Sequence, residues 1–151
     1  MSNSKRIYVA SDHAGYALKV GLLGWFPTVV SDREILDLGT DSIKSCDYPV
    51  YADKLVTVLK QDLENSIGIL ICGSGIGMAI AANRHKKIRA ANCWSEEVAK
   101  LAREHNDANV LVLGARVISE KTAKDIIKMF LNTKALTNLK YTKRSQLLDA
   151  K

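Results

Sequence analysis

The chain has 151 residues, of which 47% are hydrophobic and 25% are charged, so it is neither a disordered chain nor one that needs disulfide bonds to support a small core. Its three cysteines, Cys46, Cys72 and Cys93, are widely spaced and form no CxxC pair, which argues against a disulfide framework and against a zinc site. The 22 Lys and Arg residues outnumber the 16 Asp and Glu residues, and the resulting charge of +6 suits a phosphorylated small molecule or nucleic acid, although the 6% of aromatic residues disfavours a surface that stacks single strands.

Strand and helix patterns alternate along the first half of the chain. Strands are predicted over residues 6–10, 34–39 and 67–72, and helices over residues 16–26 and 47–64. Ser11 or Asp12 is the expected cap of the first helix, and Pro49 lies in the first turn of the second, where its missing N–H is not needed. The third strand, Ile67–Cys72, is an almost continuous apolar run, which is typical of a strand buried on both faces of a parallel sheet.

The same alternation continues through the second half. A helix follows the glycine-rich segment to residue 83; strands are then predicted over residues 88–93 and 109–114, and helices over residues 95–104, 119–131 and 137–149. This order predicts one domain over residues 1–151, an α/β domain of Rossmann-like, doubly wound form with a five-stranded parallel sheet and helices on both faces.

In such a sheet the ligand site lies at the carboxyl ends of the strands. Five segments are therefore expected to assemble the site: Ser11–His13, the loop over residues 39–48, Cys72–Gly75, Cys93–Trp94 and Gly114–Arg116.

The glycine-rich segment Ile71–Met78 is the strongest local signal. Gly73, Gly75 and Gly77 alternate before a predicted helix, so their N–H groups can form a cradle for an anion. A dinucleotide fingerprint is disfavoured, because the spacing is GxGxG rather than GxGxxG and the motif follows the third strand rather than the first. The fourth strand also lacks an acidic residue at its end for a ribose hydroxyl. The cradle could instead hold the oxyanion of an enediolate.

Two side chains beside this loop have competing interpretations. Cys72 could act as a base, since a helix N-terminus favours the thiolate, but the residues alone favour a small apolar core residue at this position. His13 could contact phosphate at the start of a helix, or it could be a capping or solvated histidine.

Further polar residues lie towards the C-terminus. His105 could interact with a helix dipole or donate a proton to a sugar ring oxygen, and Arg116 reaches the same sheet edge as the glycine loop. Lys140, Lys143 and Arg144 either form a solvated helix face or supply phosphate ligands from a tail that crosses to a partner subunit. The basic run Arg84–Arg89 is a weaker candidate for a nucleic-acid patch.

The cellular setting is expected to be cytoplasmic and reducing. The N-terminal apolar run is too short for a secretory signal, and no stretch approaches the roughly 18 apolar residues of a membrane helix.

Several strings together resemble one known family. They are SDHAGYALK, DLGT, DYPVYA, ILICGSGIGMAIAANR, RAANCWS and REHNDANVLVLGAR, with a basic pattern in the tail, and they span nearly the whole chain. The resemblance is to B-type ribose-5-phosphate isomerases, which are related to galactose-6-phosphate isomerase subunits and allose-6-phosphate isomerases. It implies interconversion of ribose 5-phosphate and ribulose 5-phosphate through an enediolate, in the non-oxidative pentose phosphate pathway.

The resemblance also implies residue roles. Cys72 matches the base of members that use cysteine, while Met78 or a neighbour occupies the region where other members have a catalytic glutamate. His105 matches the acid that opens the sugar ring, with Ser74 in a position that can help. The implied substrate-binding residues are Asp12, His13, Tyr48, Gly73, Gly75, Ile76, Gly77, Asn106, Arg116, Lys140 and Arg144.

Within this set the family pattern assigns Asp12 to sugar hydroxyls, and His13, Arg116 and Arg144 to the phosphate side. Lys140 lies near a family arginine position, and a lysine there binds phosphate without a bidentate fork. No metal and no cofactor are implied. The expected partner is a small sugar phosphate, with no nucleic acid and no membrane.

The resemblance further implies a homodimer or a dimer of dimers with the site between subunits, the helix over residues 137–149 reaching the partner. Two alternatives remain open from the sequence: an isomerase of a six-carbon sugar phosphate, and a non-catalytic nucleotide-binding module that would need neither Cys72 nor His105.

Overall fold

A computed structural model describes residues 6–151. The strands in this part of the chain are β1 (Arg6–Ser11), β2 (Glu34–Asp37), β3 (Ser66–Cys72), β4 (Ala90–Asn92) and β5 (Val110–Gly114). The α-helices are α1 (Tyr16–Trp25), α2 (Tyr48–Leu59), α3 (Ile76–Ala82), α4 (Glu96–Asn106), α5 (Glu120–Asn132) and α6 (Leu139–Asp149). A 3₁₀ turn over Phe26–Thr28 follows α1. Within residues 6–151, no helix combines the length and apolarity needed to cross a bilayer.

The five strands form one parallel sheet in the order β2-β1-β3-β5-β4. Helices α1, α4 and α5 cover one face and α2 and α3 the other, while α6 packs on α4. The predicted doubly wound α/β fold is therefore confirmed. Strand order reverses direction at β1, which places a crevice between the ends of β1 and β3, the usual position of a ligand in this architecture.

The apolar run of β3 explains why this strand is central. All seven of its residues are buried. Ile67, Ile69 and Ile71 belong to the core beneath α1, α4 and α5, whereas Leu70 and Cys72 belong to the core beneath α2 and α3. A strand with apolar side chains on both faces is stable only between two helical layers.

The bounds of three elements differ from the sequence predictions. Strand β2 ends at Asp37 rather than at Gly39, because the Asp37 carboxylate accepts the N–H of Gly39 (2.9 Å) and turns the chain. Helix α2 ends at Leu59, five residues before the predicted end. Helix α4 runs two residues further than predicted and ends where Asp107 adopts a left-handed conformation (φ 44°).

The fourth strand is only Ala90–Asn92, shorter than the predicted residues 88–93. Its first residue is bonded on the outer side by a side chain: the Asn83 amide donates to Ala90 O (2.9 Å) and accepts from Ala90 N (2.8 Å). Asn83 therefore takes the place of a sixth strand at this edge.

The cap of α1 also differs in detail from the prediction. Gly15 is the N-cap residue, and the Asp12 carboxylate accepts its N–H (3.0 Å). Asp12, rather than Ser11, thus organises the turn before the helix.

Cys93, directly after β4, is 1% exposed, and burial raises the pKa of its thiol from 9.0 to about 12. At a pH between 9.0 and about 12, the thiol of the unfolded chain is deprotonated while that of the folded chain keeps its proton. The thiol's contribution to the free energy of unfolding is therefore complete below pH 9.0 and is lost as the pH rises towards 12.

We therefore expect the stability difference between the wild type and Cys93→Ala to shrink by about 1 kcal/mol between pH 8 and pH 10. Urea unfolding of both proteins under reducing conditions measures this difference, and other titrating groups cancel in the comparison. A difference that stays constant over this range would contradict the buried, neutral thiol.

Candidate active site

One cavity lies at the carboxyl ends of the three central strands. Its volume is about 320 Å³, and its lining residues are Asp12, His13, Ala14, Tyr48, Cys72, Gly73, Ser74, Gly77, Arg116 and Val117. Because β1, β3 and β5 are neighbours in the sheet, the segments after them meet at one point. The cavity thus brings together eight of the residues that the sequence predicted for the site.

The loop between β3 and α3 turns around the sulfur of Cys72. Gly75 adopts φ 81° and donates its N–H to Cys72 Sγ (3.1 Å). Cys72 itself is 4% exposed and closes the inner end of the cavity. An amide hydrogen directed at the sulfur stabilises negative charge there, which is what a thiolate base needs.

A second amide of this cradle also has a partner within the loop. Ser74 Oγ accepts the N–H of Ile76, the first residue of α3 (3.2 Å). Together with the Gly75 amide, two N–H groups of the predicted anion cradle are therefore directed at side chains of the same loop. An incoming oxyanion would compete with Ser74 Oγ and Cys72 Sγ for these two donors.

His13 is oriented by the loop that precedes α2. The backbone N–H of Cys46 donates to His13 Nδ1 (3.2 Å), and the Cys46 sulfur lies 3.9 Å from the same nitrogen. With Nδ1 acting as an acceptor, a neutral His13 ring carries its proton on Nε2. That N–H is a donor suited to an anionic group in the cavity.

Tyr48 and Arg116 form two walls of the cavity. Tyr48 opens α2 and packs on Gly77 so closely that a Cβ at Gly77 would lie 2.7 Å from its ring. Arg116 lies in the turn after β5, where its N–H bonds to Gly73 O (2.9 Å). Its exposed guanidinium is the cation of the cavity lining, and it stands beside the glycine loop.

The remaining predicted site residues lie elsewhere in the chain. Helix α4 starts after the carboxyl end of β4 and runs back along the sheet. Its last turn, which carries His105 and Asn106, therefore lies at the amino ends of the strands, opposite the cavity. Lys140 and Arg144 are exposed on α6, which packs against α4. A single chain therefore does not bring these four residues to Cys72.

This second group is ordered as a unit of its own. The His105 ring stacks on Tyr141 with centroids 4.6 Å apart, and Lys140 Nζ lies 4.8 Å from the centre of the same ring. Asn106 O accepts from Arg89 Nε (2.9 Å) and from Ser145 Oγ (3.3 Å). Helices α4 and α6 thus present these residues together.

Arg89 holds that unit in place. Its guanidinium forms two bonds to the Asp149 carboxylate (2.7 and 2.8 Å) and further bonds to the backbone at the end of α4. Only 14% of the Arg89 side chain is exposed, and His85 in the same basic run contacts Asp53 (2.8 Å). These pairings weaken the interpretation of residues 84–89 as a nucleic-acid patch.

Several residues of the site were missed by sequence reasoning. Ala14 and Val117 line the cavity, and Asn92 fills the space in which a Cβ of Gly75 would lie, with its amide 3.4 Å from Ser74 O. The sequence signal for Ala14 and Val117 was their position beside predicted site residues. Tyr141 had no signal beyond its place in the basic tail.

The cavity contains no evident set of metal ligands. Within residues 6–151, no three or more His, Cys, Asp or Glu side chains are grouped so that they could hold a metal ion. The polar groups that line the cavity beside Cys72 include a carboxylate, an imidazole and a guanidinium, which suit a polyhydroxylated anion.

Comparison with known proteins points to one family. A family model described as Ribose/Galactose Isomerase matches residues 7–148. Ribose-5-phosphate isomerase B of Escherichia coli is 40% identical over 127 residues, which cover 84% of this chain and 83% of the relative.

Solved structures agree in both fold and extent. Ribose 5-phosphate isomerase RpiB of Thermotoga maritima superimposes with a TM-score of 0.89 at 41% identity, covering 97% of this chain and 98% of the other. Ribose 5-phosphate isomerase B of Anaplasma phagocytophilum also gives 0.89, at 44% identity, covering 98% and 99%.

The geometry of the glycine loop can be tested by substitution. We expect Gly75→Ala to destabilise the fold by about 1–3 kcal/mol, because an L-residue is strained at φ 81° and the added Cβ would clash with Asn92. Urea unfolding measures this loss.

Gly24→Ala is the matched control. A Cβ at Gly24 would meet nothing within 4 Å, and Gly24 lies inside α1, so we expect a stabilisation of up to about 1 kcal/mol. A Gly75→Ala protein as stable as Gly24→Ala would contradict the strained loop.

Proposed function

Because the chain belongs to the ribose/galactose isomerase family, we propose that this isomerase interconverts ribose 5-phosphate and ribulose 5-phosphate. The observation that carries the proposal is the Cys72 sulfur, which accepts an amide hydrogen in a cavity that Asp12 and His13 also line. That arrangement suits a base, an anion cradle and a polar substrate in one site.

The reaction moves one proton between neighbouring carbons. The furanose ring opens when an acid protonates the ring oxygen, a role proposed for His105 with Ser74 assisting. The Cys72 thiolate then removes the proton from C2 of the linear aldose; the electron pair forms the C1–C2 double bond, and the C1 carbonyl oxygen becomes the oxyanion of an enediolate. A proton passes from O2 to O1, and the Cys72 thiol returns its proton to C1, which gives the ketose and restores the thiolate, so no electron donor or acceptor is consumed.

The charged intermediate is the species that the glycine loop can stabilise. The N–H of Gly75, directed at Cys72 Sγ, and the N–H of Ile76, directed at Ser74 Oγ, are the proposed donors to the oxyanion, and donors of this kind are typically worth about 10²–10³ in rate. Gly73, Ile76 and Gly77 complete the proposed cradle with Gly75.

The cavity supplies cationic and donor groups for the phosphate. His13 offers its Nε2–H, and Arg116 offers a guanidinium at the mouth. Asp12 is available for sugar hydroxyls, and Tyr48 closes the side wall. Binding the phosphate away from the reacting carbons orients the sugar and provides binding energy for the chemical step.

The site is proposed to be completed by a second copy of the chain in a homodimer, since one chain leaves His105, Asn106, Lys140 and Arg144 at the opposite sheet edge. Apolar side chains on the surface support an association. Ile76 and Ile80 on α3 are 59% and 54% exposed, and Leu139 on α6 is 82% exposed. A dimer of dimers is the alternative assembly, and a cytoplasmic location is part of the same proposal.

A six-carbon sugar phosphate is the second candidate substrate, because the matched family is described for both ribose and galactose. The same residues would perform the same proton transfer. Turnover of allose 6-phosphate and galactose 6-phosphate is therefore measured beside turnover of ribose 5-phosphate.

Removing the proposed base should abolish turnover. We expect Cys72→Ala to lower kcat for ribose 5-phosphate by about 10²–10⁴, the usual contribution of a positioned base, with substrate binding retained. The measurement is the formation of ribulose 5-phosphate in the presence of a chelator, together with calorimetric binding of the substrate.

Cys93→Ala is the control for loss of a buried cysteine, because Cys93 lies outside the cavity; its kcat should stay within about threefold of wild type. If Cys72→Ala were as active as Cys93→Ala, the base would have to be another group. Turnover of a six-carbon substrate alone would change only the substrate assignment.

The shared site can be tested by mixing two inactive variants. In a dimer of Cys72→Ala and His105→Ala chains, one of the two sites would hold an intact cysteine and an intact histidine. We expect an equimolar, refolded mixture to recover about a quarter of wild-type activity, because half of the randomly formed dimers are mixed. A mixture as inactive as its components would contradict a site shared between two chains, and an active His105→Ala protein on its own would show that His105 is not required.

A further inference from the structure

Lys19 is a buried cation with no part in the proposed chemistry. It lies on α1, its side chain is 1% exposed, and it is among the largest fully buried side chains of residues 6–151. Burying an ammonium group is strongly unfavourable unless it is paired and hydrogen-bonded. Its partners therefore identify what the charge is used for.

The two hydrogen-bond partners of the ammonium are Asp37, the last residue of β2, and Thr40, three residues later. Lys19 Nζ donates to Asp37 Oδ1 (2.5 Å) and to the backbone oxygen of Thr40 (2.6 Å). Asp37 Oδ1 also accepts the N–H of Gly39 (2.9 Å). These contacts join two of the strings that carry the family resemblance, SDHAGYALK and DLGT, which the function described so far uses only in part.

The segment that Lys19 fixes, residues 37–40, is connected to His13 in two ways. Gly39 O accepts the N–H of Ser11 (2.7 Å), and Thr40 donates its N–H to Ser11 O (2.8 Å), so both backbone groups of the residue before Asp12 are bonded to this segment. Beyond Thr40, the same loop continues to Cys46, whose N–H donates to His13 Nδ1 (3.2 Å). One route fixes the backbone near His13, and the other fixes the ring.

We propose that Lys19 is a positioning residue for His13: through Asp37 and Thr40 it holds the loop that keeps the imidazole proton on Nε2, facing the cavity. This inference rests on the proposed function where it concerns phosphate, but the orientation of His13 can be measured without turnover.

The charge, rather than the bulk of Lys19, performs this role. A methionine could fill a similar volume but could not donate to Thr40 O. Asp37 is 41% exposed at its side chain, so without the ammonium its carboxylate can turn to solvent and release Gly39. The loop would then lose its fixed distance from α1 while the apolar core stays filled.

Nitrogen-15 NMR of the histidine rings tests the orientation directly. At a pH where the rings are neutral, wild-type His13 should show Nδ1 as the unprotonated nitrogen and Nε2 as the protonated one. In Lys19→Met we expect the two His13 nitrogen shifts to move towards averaged values, while His85 and His105 keep theirs. His13→Gln identifies the His13 signals.

Leu59→Ala is the matched control for lost stability. Leu59 is fully buried at the end of α2, beside Gly68 and far along the sheet from the cavity, so its truncation should destabilise the fold without moving His13. If His13 shifts were the same in Lys19→Met and Leu59→Ala, the positioning role would be refuted and Lys19 would be purely structural.

Kinetics provide the second readout. For Lys19→Met we expect KM for ribose 5-phosphate to rise about tenfold while kcat falls less than about threefold, the pattern of a lost interaction that the ground state and the transition state share. The affinity for inorganic phosphate should fall by a similar factor. Asp37→Asn, which leaves the bond to Thr40, should change KM in the same direction by less. Unchanged KM and phosphate affinity in both variants would overturn the inference.

The two proposals fail in different ways. If the wild type turns over no sugar phosphate, the proposed function is wrong, but the His13 shifts and the phosphate affinity still decide the role of Lys19. Should Lys19→Met not fold, Asp37→Asn is used for both measurements, because Asp37 is partly exposed.

Discussion

The parallel pairing of β1, β3 and β5 is the constraint on which the rest of the structure depends. The register places Ser11 opposite Ile71 and Cys72 opposite Gly114, so the three strands end level with one another. Each then continues into a loop at the same edge. The cavity contains residues from all three loops. If one strand slipped by one residue, its side chains would move to the opposite faces of the sheet and its loop would move away from the other two.

Buried cations have related roles at the two ends of the strands, which are called here the carboxyl edge and the amino edge of the sheet. At the carboxyl edge, Lys19 connects α1 with the segment after β2. At the amino edge, Arg103 bonds to Ala108 O and to the Asp107 carboxylate, and Arg89 bonds to Asp149. In each case a desolvated charge is satisfied mainly by loop backbone and a carboxylate, which fixes irregular segments that apolar packing alone would leave mobile.

Much of this arrangement could be predicted from the sequence, for identifiable reasons. The continuous apolar run of β3 indicated a strand between two helical layers, and the alternation of elements indicated the doubly wound sheet. The strand order could not be read from the sequence, since apolar patterns do not specify neighbours. Lys19 was missed because a lysine in a helix is normally solvated, and only the tertiary structure shows its partners. A histidine suggests a catalytic acid, and so a place beside Cys72. The direction of α4 instead puts His105 at the amino ends of the strands, away from the cavity of its own chain.

The bonds that Asn83 makes to Ala90 have a consequence for how copies of the protein meet. β4 is one of the two edge strands of the sheet, and unpaired backbone groups at such an edge can recruit a strand from another molecule and begin aggregation. Here a side-chain amide already occupies both groups of Ala90, and the strand is only three residues long. The Asn83 side chain therefore opposes sheet extension at this edge, so two chains that meet here would combine through helical surfaces rather than by strand pairing.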